Sequence, residues 1–118
     1  MISSVDKMGS LLTREWHLRT PSFRRYNFCG PNTRLNRRLN ADGTPQKWSQ
    51  PINKIDEISL RHDIAYSDGK RPRYEADKAM LHELDELNDE DLSCNEMFAK
   101  YYVRCIIGLL YRLRKLFA

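Results

Sequence analysis

Apolar residues recur at helical intervals along the second half of this chain, while the first half breaks that rhythm repeatedly. After Asn53, the residues Ile55, Ile58, Ser59, His62 and Tyr66 fall on one stripe at i, i+3, i+4, i+7 and i+11. Asn53 suits an N-cap, Asp56 sits in the first turn where the helix dipole favours a negative charge, and Asp68-Gly69 ends the helix. Pro72 suits the first residue of a next helix, with Ala76, Met80, Leu84 and Leu87 on one face and Glu83, Glu86 and Glu90 on the other. Asn88-Asp89-Glu90-Asp91 is a polar break. Ser93 or Asn95 then caps a last helix over 97–117, in which Phe98, Tyr102, Ile106, Leu109, Leu110, Leu113 and Phe117 line one face and Lys100, Arg104, Arg112 and Lys115 lie elsewhere.

Near the start, Val5, Met8, Leu11, Leu12 and Trp16 predict a helix over 4–18, capped by Ser4 and ended by Thr20-Pro21. Between 21 and 52 the breakers are too dense for long elements: Cys29-Gly30-Pro31-Asn32, Asn40-Ala41-Asp42-Gly43, Pro45 and Pro51. A loop of that length inside a compact domain is uncommon and often functional. No strand pattern or internal repeat is present. The pattern predicts a mainly α fold.

Composition narrows this. At 118 residues, 41% of them hydrophobic, the chain suits one domain and carries too much apolar material for a disordered segment. Asp6, Lys7, Arg14, Glu15 and Arg19 interrupt the first turns, so no secretory signal is expected, and no window approaches the ~20 apolar residues of a spanning helix. Three cysteines, Cys29, Cys94 and Cys105, are too few for a disulfide framework and match no zinc spacing; Cys94 and Cys105 read as small buried hydrophobes. The net charge of +4 is unevenly laid out: +7 over 1–74, −8 over 75–96 and +5 over 97–118. Basic ends of this kind meet phosphates of lipid or of nucleic acid, and charge alone does not separate the two.

The candidate chemistry centres on His62-Asp63. On a helix these side chains point about 100° apart, so one faces a cleft while the other faces a neighbour. A single His on an apolar stripe is, by itself, the mark of an ordinary core residue. Its company changes the reading. Tyr26-Asn27-Phe28-Cys29-Gly30-Pro31-Asn32-Thr33 forms a breaker-rich loop upstream, Asp56 precedes His62-Asp63-x-x-Tyr66, and Ala76-Asp77-Lys78-Ala79-Met80-Leu81 follows on the next helix.

This order of motifs resembles the phospholipase A2 superfamily, and within it the phospholipase A2-like domain of parvovirus minor capsid proteins, which lacks the disulfides of the secreted enzymes. The resemblance runs over 26–84. It implies a calcium-binding loop followed by two antiparallel helices carrying the His/Asp site; with the flanking N- and C-terminal helices that the apolar pattern predicts, these make one small domain over 1–118. It implies His62 as general base, Asp77 as the acceptor that fixes its tautomer, and Tyr66 as a donor to Asp77. Calcium would be held by the carbonyls of Phe28, Gly30 and Asn32 and by the Asp63 carboxylate, with the Gly30 amide helping to stabilise an oxyanion. Asn32 stands where the family usually has Gly, and Ser59 and Ile58 stand at half-cystine positions of the secreted enzymes.

The implied reaction is hydrolysis of the sn-2 ester of a glycerophospholipid at a membrane, by a protein acting inside a cell or in a virion. Arg24, Arg25, Arg34, Arg37 and Arg38 beside the loop are expected to attract anionic headgroups, and the C-terminal helix to be either a core helix or one lying at the lipid interface. The competing class is a non-catalytic basic helical module that binds membrane or nucleic acid. The arginines cluster in an irregular loop and not on a groove-reading helix, which argues against nucleic acid. His17 and His82 read as surface residues without partners.

Overall fold

The computed structural model describes residues 15–19, 25–30 and 32–118. Its elements are a single helical turn α1 (Leu35–Arg38), then α2 (Lys54–Asp68), α3 (Arg73–Glu86) and α4 (Cys94–Leu116), with 3-10 turns at Lys47–Ser49 and Asp89–Asp91. No strand occurs among the described residues; isolated bridges pair Arg19 with Arg25 and Leu39 with Pro45.

The ends of the long helices follow from their caps. The Asn53 side chain accepts from the Asp56 amide, and Gly69 closes α2 in the left-handed conformation, at φ 63°. Pro72 is the N-cap of α3, one position before its first helical residue. Ser93 and Glu96 form a capping box that starts α4 three residues earlier than the apolar pattern does.

The three helices run alternately up and down. Arg61 meets Glu83 and His62 meets Asp77 across α2 and α3, while Asp85 meets Arg104 and Asp77 meets Arg114 across α3 and α4. Ile55, Ile58, Met80, Leu84, Ala99, Val103 and Ile107 form one buried cluster, joined by Tyr26 and Cys29 from the loop.

Four expectations are corrected. Residues 4–14 of the expected first helix lie outside the described residues, and 15–18 are not helical. There Leu18 donates to the Cys29 carbonyl and accepts from the Tyr26 amide, so pairing with the loop overrides the local period. In α4 the buried face is Ala99, Lys100, Val103 and Ile107, one position round from the stripe of larger residues. Small residues let α3 approach closely, which leaves Phe98, Tyr102, Ile106, Leu109 and Leu113 exposed. With that rotation Cys94 and Cys105 face outward and are exposed; Cys29 alone of the three is buried, and burial pushes its thiol up to about 12. Finally, the His17 side chain is 0% exposed, whereas His82 is exposed and pairs with Glu86.

Candidate active site

The loop ahead of α2 is tied down from below by one carboxylate. Asp56 is fully buried and accepts from the backbone amides of Asn27 (2.9 Å), Phe28 (2.8 Å) and Ile52 (3.1 Å). Burial pushes the Asp56 carboxyl up, and these N–H groups pull it back. Tyr26 is held by Asn53, whose Nδ2 donates to its hydroxyl at 2.8 Å.

A second tie comes from Arg38, which is 6% exposed. Its Nε donates to Glu15 at 2.8 Å and its Nη1 to the Asn27 side-chain oxygen at 3.1 Å. Arg38 is therefore a buried loop anchor and not a headgroup contact. A guanidinium taken out of water needs such partners. Of the other expected headgroup arginines, Arg25 and Arg37 are exposed, Arg34 is half-buried and Arg24 lies outside the described residues.

Gly30 and Asn32 shape the loop. Gly30 has φ 153°, and a Cβ there would fall 1.8 Å from the Trp16 carbonyl oxygen, so no other residue fits without moving the backbone. Asn32 adopts φ 62°, a left-handed conformation that Asn tolerates better than most residues. The Thr33 hydroxyl lies 3.2 Å from the Gly30 carbonyl oxygen and 3.5 Å from that of Phe28, so both carbonyls turn toward one point.

His62 stands on α2 facing α3. Its Nε2 lies 2.8 Å from Asp77 Oδ1, and the Tyr66 hydroxyl donates to the same oxygen. The rings of His62 and Tyr66 pack 4.1 Å apart. Asp77 is fully buried. The other imidazole nitrogen, Nδ1, lies 3.9 Å from Asp63 Oδ1. Burial alone would lower the His62 pKa; the Asp63 and Asp77 carboxylates beside its two ring nitrogens outweigh that and raise it. Burial pushes the Asp63 carboxyl up, with His62 and Thr33 pulling it down. Asp63 Oδ2 is the one buried side-chain oxygen or nitrogen among the described residues without a hydrogen-bond partner.

Among the described residues no group of three His, Cys, Asp or Glu side chains gathers to hold a metal. A cation here would depend on carbonyl oxygens plus the single Asp63 carboxylate, which is a hard-ion donor set.

These groups open on a cavity of about 1070 Å³ lined by the loop, by His62, Asp63 and Met80, and by the inner edge of α4 at Tyr102, Ile106 and Leu110. Polar groups at one end and an apolar wall along it suit an amphiphilic substrate.

Two contributors escaped the sequence reading. Asp56 read only as a dipole partner, because its amide partners are 28 and 29 positions away. Arg114 donates to both oxygens of Asp77, at 3.3 and 3.0 Å. Its signal was a basic residue continuing the stripe Ala99, Val103, Ile107, Leu110 at i+4, i+8, i+11 and i+15.

A buried His–Asp pair on antiparallel helices thus sits beside a glycine-turned loop and a cavity of about 1070 Å³. The family model for the phospholipase A2-like domain, of the parvovirus minor capsid type, matches residues 16–105, and the chain belongs to that family. No curated protein and no solved structure matches it.

Proposed function

We propose that this protein is a calcium-dependent phospholipase A2, cleaving the sn-2 ester of glycerophospholipids at a membrane surface. The observation that carries the reading is the His62 ring: Nε2 is engaged by Asp77 while Nδ1 lies beside Asp63 in the cavity wall. That arrangement fixes the tautomer with the proton on Nε2 and leaves Nδ1 as the base.

Nδ1 takes a proton from a water molecule, the oxygen of that water adds to the ester carbonyl, and the imidazolium returns the proton to the departing glycerol oxygen. Asp77 stabilises the transient imidazolium, and Tyr66 holds Asp77 in place. The Gly30 amide is the chain's own donor to the oxyanion. The orphaned Asp63 Oδ2 and the convergent carbonyls of Phe28 and Gly30 fit a calcium ion, with the Asn32 carbonyl as a further ligand. Calcium held by these residues would supply positive charge for the oxyanion. The exposed Arg25 and Arg37 and the exposed apolar residues of α4 support a phospholipid surface as the partner.

The test uses mixed vesicles of zwitterionic and anionic glycerophospholipid labelled in the sn-2 chain. Calcium should give labelled fatty acid and lysophospholipid, and a chelator should abolish both. Millimolar calcium should also raise the melting temperature of the wild type but not of Asp63→Asn, because a ligand of the native state stabilises by mass action. Unchanged release in chelator, with no calcium effect on melting, would refute the ligand set.

A further inference from the structure

The resemblance and the motifs leave the last helix without a part in the chemistry. We infer that Arg114, in the final turns of α4, is a positioning residue for the His62–Asp77 pair, so that this helix completes the reacting assembly. The inference deepens the hydrolase reading and rests on it for its kinetic consequence.

Asp77 is fully buried and has two oxygens to satisfy. Oδ1 is taken by His62 and Tyr66. Oδ2 is met by Arg114 Nη1 at 3.0 Å, from 37 positions further along the chain. A carboxylate held at one oxygen alone can swing about its Cβ–Cγ bond and carry the imidazole's acceptor out of line; held at both, its plane is fixed. The guanidinium also lies over the Tyr66 ring, 5.0 Å from its centre. Arg114 thus touches both residues that hold His62, and itself touches neither water nor ester in the proposed reaction. Its positive charge compensates a negative charge that has no access to solvent. The Arg114 side chain is 29% exposed, so it can be exchanged without opening a void in the core.

A salt bridge that merely fastens α4 to α3 would show the same distances, and the test separates the two roles. Wild type, Arg114→Gln, Arg114→Met and Arg114→Lys are compared by vesicle hydrolysis and by the NMR signal of the His62 Nε2–H proton. For the Gln and Met variants we expect kcat to fall roughly 10–100-fold, the usual effect of removing a partner that orients a catalytic group, with KM within about twofold. The Nε2–H resonance should weaken or vanish through faster exchange with water. Arg114→Lys should recover part of both, since an ammonium restores the charge with less reach. Either of the Gln and Met variants that folds is sufficient. Wild-type kcat together with an unshifted Nε2–H resonance in a folded Gln or Met variant overturns the inference. If the wild type releases no fatty acid, the hydrolase reading fails separately, and the resonance alone decides: its loss supports the role of Arg114 and its persistence refutes it.

Discussion

His62 is flanked by two acids that are placed differently. Asp77 engages one ring nitrogen at 2.8 Å, and Asp63 sits 3.9 Å from the other with a spare, unpartnered oxygen. Helical periodicity gave the stripe that carries His62 and turned Asp63 about 100° from it, while the parts of His62, Asp63 and Asp77 came from the order of motifs that resembles the phospholipase A2 superfamily. His17 was legible from neither. It lies in a segment whose position depends on tertiary pairing, and it ends up enclosed by Glu15 (3.3 Å), Thr33 (3.1 Å) and Arg38 (3.4 Å). Burial, reinforced by the Arg38 charge, lowers its pKa to about 4 from 6.5. Between those values the unfolded chain binds the proton more readily than the folded one. This contribution to stability is complete above pH 6.5 and is lost as the pH falls through 4. Chemical denaturation of the wild type and of His17→Gln at pH 7 and pH 4 should show a markedly shallower pH loss in the variant. Parallel losses would mean that His17 is not held neutral.

Among the elements, α2 and α3 were read almost to the residue because they carry their own punctuation, Asn53 and Gly69 for one and Pro72 for the other. The face of α4 was misread for a physical reason: hydropathy weights large side chains, whereas the α3–α4 contact selects the small ones, Ala99 and Val103. The loop's path was not legible at all, because it is set by Asp56 and Arg38 reaching back to Asn27 and Phe28. Asp56→Asn keeps the volume but removes one acceptor and introduces a donor among three amides. One or two N–H groups should be left unpaired, at roughly 1–3 kcal/mol each. A urea titration should register that loss, and calorimetry should show weakened calcium binding, since the displaced residues include Phe28, one of the proposed carbonyl ligands. Unaltered stability in Asp56→Asn would show that the loop is anchored elsewhere.

At the scale of the whole molecule, the interior of the three-helix array holds the His–Asp pair, and its outer apolar face is the one proposed to meet lipid. Polar groups of the loop and α2 form one end of the cavity, and α4 supplies an apolar wall that continues onto an exposed surface at Leu109, Leu113 and Phe117. No helix among the described residues is long and apolar enough to cross a membrane. The exposed apolar face of α4 supports the proposal that the phospholipid enters from a surface on which the protein rests. The proposed reaction turns on one imidazole, so the most direct measurement is turnover on vesicles by His62→Gln beside the wild type, with both melting curves recorded. Glutamine is close in size and still polar, so the melting temperature should stay within a few degrees. Fatty-acid release should fall by about 10²–10⁴, the usual worth of a general base. A well-folded His62→Gln protein that hydrolyses phospholipid at the wild-type rate would contradict the account.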